Sequence, residues 1–185
     1  MSKQETKTKR MMTTRNLAYC ALLAALSVVL ARLIIPMPNA TTRFSIEAVP
    51  IYLAGMLFGP MAGGLVGFCA DFVGCLFSGF GYNPLFSLPP ILYGVFGGVF
   101  RYYLSKKISL PRLALAFLPP VVGGSILWQS FALDYVYDLG FTLMLSTRAV
   151  QFAITLVVNA VIVNLLFRSK MFVHMGVWPP KKQEK

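Results

Sequence analysis

The chain has 185 residues, 57% of them hydrophobic, with a mean hydropathy of +0.69 and a formal net charge of +11. So little polar surface cannot cover an ordinary soluble domain, and the length permits one compact helical bundle with no soluble catalytic domain beside it. The charge is not a nucleic-acid footprint, because it is segregated. Lys3, Lys7, Lys9, Arg10 and Arg15 precede or open the first apolar run. Arg101, Lys106, Lys107 and Arg112 form a second group, and Arg168, Lys170, Lys181, Lys182 and Lys185 a third, together fourteen of the seventeen cations. All three groups fall in segments that share one side of a membrane under the positive-inside rule, where they also meet anionic lipid.

The first apolar run predicts a helix from about Thr14 to Ile35. It is longer than a signal-peptide core and is followed by PMPN rather than a small-residue cleavage site, so it is expected to be retained. Ala21-x-x-x-Ala25 on this helix has the small-residue spacing that lets membrane helices approach. A second helix is expected over about Glu47 to Phe58, short for a span, and a third over about Met61 to Phe77. Gly55, Gly59, Gly63 and Gly67 recur every four residues, with Asp71 in the next place, and Gly59-Pro60 interrupts the series.

A fourth helix is read over about Pro84 to Leu104, a fifth over about Leu113 to Leu133 and a sixth over about Leu145 to Phe167, against the roughly 20 residues a span requires. The Pro-Pro pairs at 89–90 and 119–120 lie inside spans and should bend them. Such kinks persist where other protein groups or a cavity satisfy the freed backbone. The expected fold is an all-α membrane protein, a compact six-transmembrane-helix bundle with both termini cytoplasmic. Residues 14–168 form the bundle, between basic cytoplasmic tails at 1–13 and 169–185.

The side of the membrane opposite the basic groups then holds Arg32, Arg43, Glu47, Asp134, Asp138 and Arg148, with Asp71 within or near it. Aromatic residues Phe80, Tyr82, Phe86, Tyr135 and Tyr137 lie in the same connections. A carboxylate inside a span costs about 2.5–3.5 kcal/mol on insertion scales, so Asp71 should face protein, a cavity or a partner. It either pairs with Arg43 or Arg148 or accepts hydrogen bonds from a ligand. Arginines suit a ligand carboxylate, and Tyr82, Phe86 and Trp128 suit a flat ring, although Trp128 serves equally as core packing. Cys20, Cys69 and Cys75 form no CxxC pair, and no P-loop, HExxH or GxSxG is present. An enzyme is not expected, nor a metal or cofactor.

TTRNLAYCALLAALSVVLARL, VPIYLAGMLFGPMAGGLVGFCADFVGCLF, GYNPLFSLPPILYGVFGG, ILWQSF and STRAVQFAITLVVNAVIVNLLFR together resemble the substrate-binding S-components of energy-coupling-factor vitamin transporters, in particular the folate-type members. The resemblance runs from about Thr13 to Arg168. It implies a six-helix bundle in the cell membrane that captures a vitamin at its outer face. The bundle then docks on a transmembrane coupling subunit served by two cytoplasmic ATPases, so ATP is used by the partners.

In the family the first-helix AxxxA motif belongs to the docking surface, here Ala21 and Ala25, and the loops at about Pro36–Ser45 and Ser78–Asn83 act as gates. The implied cargo is folate or a related pterin, held by Arg43, Glu47, Asp71, Tyr82, Phe86, Ser87, Trp128 and Arg148. Two departures from the folate-type pattern lie near the expected pocket. They are SIEAVP, which adds Glu47, and PLFSLP, which brings Ser87. Thiamine, riboflavin or a queuine-like base is the alternative cargo, and a structural membrane protein without transport the alternative class.

Overall fold

A glycine and a proline divide the first half of the bundle. Gly59 ends one helix with φ at 106°, a left-handed conformation that a side chain disfavours, and Pro60 opens the next at once. The computed structural model describes residues 14–32, 35–36, 43–44, 46–78, 82–106, 108–137 and 140–169. In chain order these form α1 (Thr14–Leu30), α2 (Ala48–Phe58), α3 (Pro60–Ser78), α4 (Pro84–Val99), the short α5 (Arg101–Lys106) and α6 (Leu110–Pro119). A π-helical stretch over Pro120–Trp128 then leads without a break into α7 (Gln129–Tyr137), and α8 (Phe141–Arg168) completes the fold. Strands β1 (Ile35–Pro36) and β2 (Arg43–Phe44) form a two-residue antiparallel ladder between α1 and α2, with Ile35 opposite Phe44.

All six expected apolar helices are present, with different ends. The first stops at Leu30 rather than Ile35, and the fourth stops at Val99, where Phe100 turns the chain into α5. The fifth is longer than read, because α6, the π-helical stretch and α7 run continuously from Leu110 to Tyr137. The sixth begins four residues early, at Phe141. Three of the six are long and apolar enough to cross a membrane, over Pro60–Phe77, Leu110–Tyr137 and Leu145–Arg168; the others are shorter.

At the centre stands α2, eleven residues long and buried at every one. A helix apolar on all sides must be enclosed on all sides, and α1, α3, α4 and α8 enclose it. The closest approach is backbone to backbone. A Cβ on Gly55 or on Gly63 would run into the Gly94 carbonyl, and one on Gly67 into the Pro90 carbonyl. The small residues therefore lock α2, α3 and α4 together, as their four-residue recurrence suggested.

Helix α8 is arranged inside out. Its buried face carries Arg148, Gln151, Thr155 and Asn159 before turning apolar at Ala160, Val163 and Phe167. Its exposed face carries Val150, Ile154, Val157, Val158 and Leu165. Together with exposed Leu65, Leu115, Leu118 and Leu127 on other helices, this is the surface of a protein whose solvent is lipid.

Candidate binding site

Asp71 lies in α3, about 10 Å along the axis from the Ser78 end. Ser87, in the first turn of α4, is almost fully buried and sits with its Oγ 2.5 Å from Asp71 Oδ2 and 3.1 Å from the Tyr82 hydroxyl. A serine has one proton to give. Ser87 directs that proton mainly at the Asp71 carboxylate, the shorter of the two contacts, with the Tyr82 hydroxyl oxygen as the longer acceptor. The three groups form a cluster in which a carboxylate and a hydroxyl oxygen both accept from one serine. The Tyr82 ring is held edge-on against Phe72 at 5.2 Å. Among the described residues Asp71 is thus engaged by Ser87 and not by an arginine.

The local sequence sets up this turn. Asn83 caps α4 by accepting the Leu85 N–H at 3.1 Å, and Pro84 occupies the first helical position. Pro89 and Pro90 follow within two turns. Neither has an N–H, so the carbonyls of Leu85 and Phe86, four residues earlier, lose their helical donors. The Trp128 indole N–H takes up the Leu85 carbonyl at 2.8 Å. Its polar atom is therefore committed to the α4 backbone, and what Trp128 offers a ligand is its ring. Phe86 stacks with Tyr137 at a centroid distance of 6.5 Å. Below the proline pair, the Tyr93 hydroxyl and Ser125 Oγ form a buried hydrogen bond at 3.1 Å.

Arg148 is buried, at 8% exposure, on the inward face of α8. Its guanidinium lies over the Phe152 ring at 5.9 Å, and among the described residues no carboxylate pairs with it. One turn further, Gln151 is also buried, and Thr155 donates back to the Gln151 carbonyl at 2.9 Å. Asn159 is fully buried, and among the described residues neither of its side-chain polar atoms finds a hydrogen-bond partner. Charge alone does not reveal this stripe. The positions 148, 151, 155 and 159 on an otherwise apolar helix are the signal that finds it.

The remaining candidates are dispersed. Glu47 is half-buried immediately before α2, and its backbone carbonyl accepts from buried Ser27 of α1 at 2.8 Å. Arg32 donates to the Gly74 carbonyl of α3 at 2.7 Å, three residues from Asp71. Arg43 has its backbone in β2, and its side chain lies outside the described residues, as do Phe80 and Asp138. Asp134 accepts the Gly140 N–H at 3.0 Å and closes the turn between α7 and α8. Ala21 and Ala25 are exposed on α1, which packs Tyr19, Leu23 and Val28 on the core. Among the described residues no three histidine, cysteine or carboxylate side chains cluster as a metal site would need.

Residues 11–171 match the family described as "ECF-type riboflavin transporter, S component". The chain belongs to this S-component family.

The curated folate transporter FolT of Clostridium novyi (strain NT) is 28% identical over 146 residues, which are 78% of this chain and 83% of that protein. The crystal structure of FolT bound with folic acid superposes with a TM-score of 0.73 at 28% identity, over 85% of this chain and 95% of that one. ThiT from Listeria monocytogenes, at 19% identity and a TM-score of 0.62, covers 84% of this chain and 94% of its own. An S-component for biotin, at 18% identity and 0.62, covers 91% and 95%. These last two share the fold. S-components are transporter subunits, and the family is not one of enzymes.

Proposed function

We propose that this S-component captures folate or a related pterin at the outer face of the cell membrane and delivers it through an ATP-driven coupling module. The observation that carries the reading is a pair of inward groups of opposite charge, Asp71 on α3 and Arg148 on α8, that are not paired with each other. The Tyr82–Ser87–Asp71 cluster offers a carboxylate acceptor suited to the N–H edge of an aminopyrimidine, with the rings of Tyr82, Phe86 and Trp128 available for a flat heterocycle. Arg148 is a buried cation with no anion beside it among the described residues, and a cation in that setting calls for a partner. A molecule with a donor-bearing ring at one end and carboxylates at the other meets both demands. Its likeness to FolT, over most of both chains, supports the same cargo.

In this reading the chain crosses the membrane six times, with 1–13 and 169–185 as cytoplasmic basic tails and 14–168 as the substrate-binding domain. The Asp71 end of the bundle faces outward. Arg43 joins Arg148 at the glutamate carboxylates, and Glu47 lies at the mouth. Ala21 and Ala25 face the transmembrane coupling subunit, which two ATPase subunits serve.

Another vitamin is the second reading, because the family's own description names riboflavin and both ThiT and an S-component for biotin share the fold. Calorimetric titration of the purified protein in detergent separates them. Tight one-to-one binding of folate is expected. A flat folate titration with saturable riboflavin or thiamine binding overturns the cargo and keeps the family.

A further inference from the structure

The proline pair weakens the tie between the first turn of α4 and the rest of that helix, which still runs unbroken from Pro84 to Val99. Two consecutive helical hydrogen bonds, those Leu85 and Phe86 would accept, cannot form. The weakened turn carries Ser87, the donor that orients Asp71. Trp128 replaces one of the two lost bonds by donating to the Leu85 carbonyl at 2.8 Å.

We propose that Trp128 is a positioning residue for cargo recognition, acting through the Leu85 carbonyl that Pro89 leaves without a donor, and through it on Ser87 and Asp71. The inference rests on the reading of Asp71 as part of the cargo site. It differs from the simple view of Trp128 as an aromatic wall, because the working atom is the indole N–H rather than the ring.

The surroundings are built for this task. The opposing segment is itself irregular, a π-helical stretch opened by Pro119-Pro120, and such stretches commonly mark functional positions. Gly124 within it lies against Pro89, where an added Cβ would come 3.3 Å from the proline Cα. The two kinks therefore face each other at close range. One hydrogen bond pins the seam on each side of the proline pair, Tyr93 to Ser125 on one side and Trp128 to Leu85 on the other. The glycine-locked α2–α3–α4 contact holds the lower part of α4 from the opposite flank. What is left for Trp128 to fix is the upper turn, with Asn83 capping its start. A displacement of the π-helical stretch away from α4 would release that turn, and with it the hydrogen bond that aims Asp71.

Hydrogen–deuterium exchange on the ligand-free protein in detergent reads the amides of Leu85–Leu88 directly, and calorimetry reads folate affinity. Trp128→Phe keeps an aromatic ring and removes the N–H. It is expected to speed exchange over Leu85–Leu88 by about tenfold and to weaken folate binding by about tenfold, the usual consequence of orphaning a buried acceptor. Adding Pro89→Ala returns a backbone N–H to the Leu85 carbonyl and is expected to recover most of both losses. An aromatic wall has no reason to be rescued by a substitution in another helix.

Unchanged exchange in Trp128→Phe, or losses that Pro89→Ala leaves in place, overturns the positioning role. If Trp128→Phe alone does not fold, the double variant carries the test. Its folding with parental exchange supports the role, and its failure overturns it. The expected exchange pattern in a parent protein that binds no folate strikes the cargo reading alone.

Discussion

Ser87 and Asp71 come from different helices, sixteen positions apart, and meet at 2.5 Å in the interior of the bundle. The serine is buried while the aspartate remains half-exposed, so one carboxylate oxygen is satisfied by protein and the carboxylate as a whole stays addressable. A carboxylate that serves only to join two helices would ordinarily be closed off by further donors. Here, among the described residues, the donors stop at one hydroxyl.

Replacing Asp71 with alanine should weaken folate binding by about 10- to 150-fold, the equivalent of the roughly 1.5–3 kcal/mol carried by a hydrogen bond to a charged group. The variant should still unfold cooperatively on heating, since Asp71 is not part of the glycine contact that locks the helices. Calorimetry with a parallel thermal melt checks both. Parental affinity in Asp71→Ala takes this residue out of the site.

Arg148 should separate the two ends of the cargo. In Arg148→Leu, folate affinity should fall by about tenfold or more, while a pterin without the glutamate tail should bind as it does to the parent. The ligand-free variant should also melt a few degrees higher, because an unpaired buried cation is lost. Competition titrations with the two ligands give the ratio, and an equal loss for both assigns Arg148 to something other than the anionic end.

Gly63 tests the interlock. A methyl group there meets the Gly94 carbonyl and the Gly55 Cα together, so Gly63→Ala should destabilise the protein by about 1–3 kcal/mol, as overpacking does. Gly74 in the same helix has open space around its missing Cβ. There alanine should be neutral or stabilise by up to about 1 kcal/mol through helix propensity. Thermal melts of the pair, with equal losses at the two positions, would disprove the close-contact account.

Ala21 and Ala25 sit on a face of α1 that no other described element covers. Ala21→Trp should abolish cellular uptake of folate while leaving binding in detergent within about twofold, a change of roughly 0.4 kcal/mol. Uptake that survives the substitution moves the coupling surface to another helix.

The six apolar helices were legible because hydropathy reports the transfer of side chains into lipid, and that term dominates here. Their ends were less so. Residues 31–35 are as apolar as the helix before them, yet α1 stops at Leu30 because the chain turns toward the β1–β2 ladder, a matter of backbone pairing that hydropathy does not register. The fifth helix was read to stop at Leu133, just before Asp134, although Asp134 fits within it. Of the site, Asp71, Ser87 and Tyr82 could be named singly from their residue types. Their convergence could not, since it depends on how α3 and α4 face each other. The orphaned Leu85 carbonyl follows from Pro89 by counting back four residues, but its donor lies 43 positions away. Gln151 and Asn159 went unread for a simpler reason: they are uncharged, and only their spacing marks them.

Helix α2 is about 16 Å long, little more than half the roughly 30 Å of hydrocarbon in a bilayer. It packs along the Gly94–Gly98 end of α4, away from the turn that carries Ser87. A helix of this length cannot cross the hydrocarbon alone, and one added turn at Ala48, about 5.4 Å, would still leave it short. Its length is therefore matched to the helices that enclose it on every side rather than to the thickness of the bilayer.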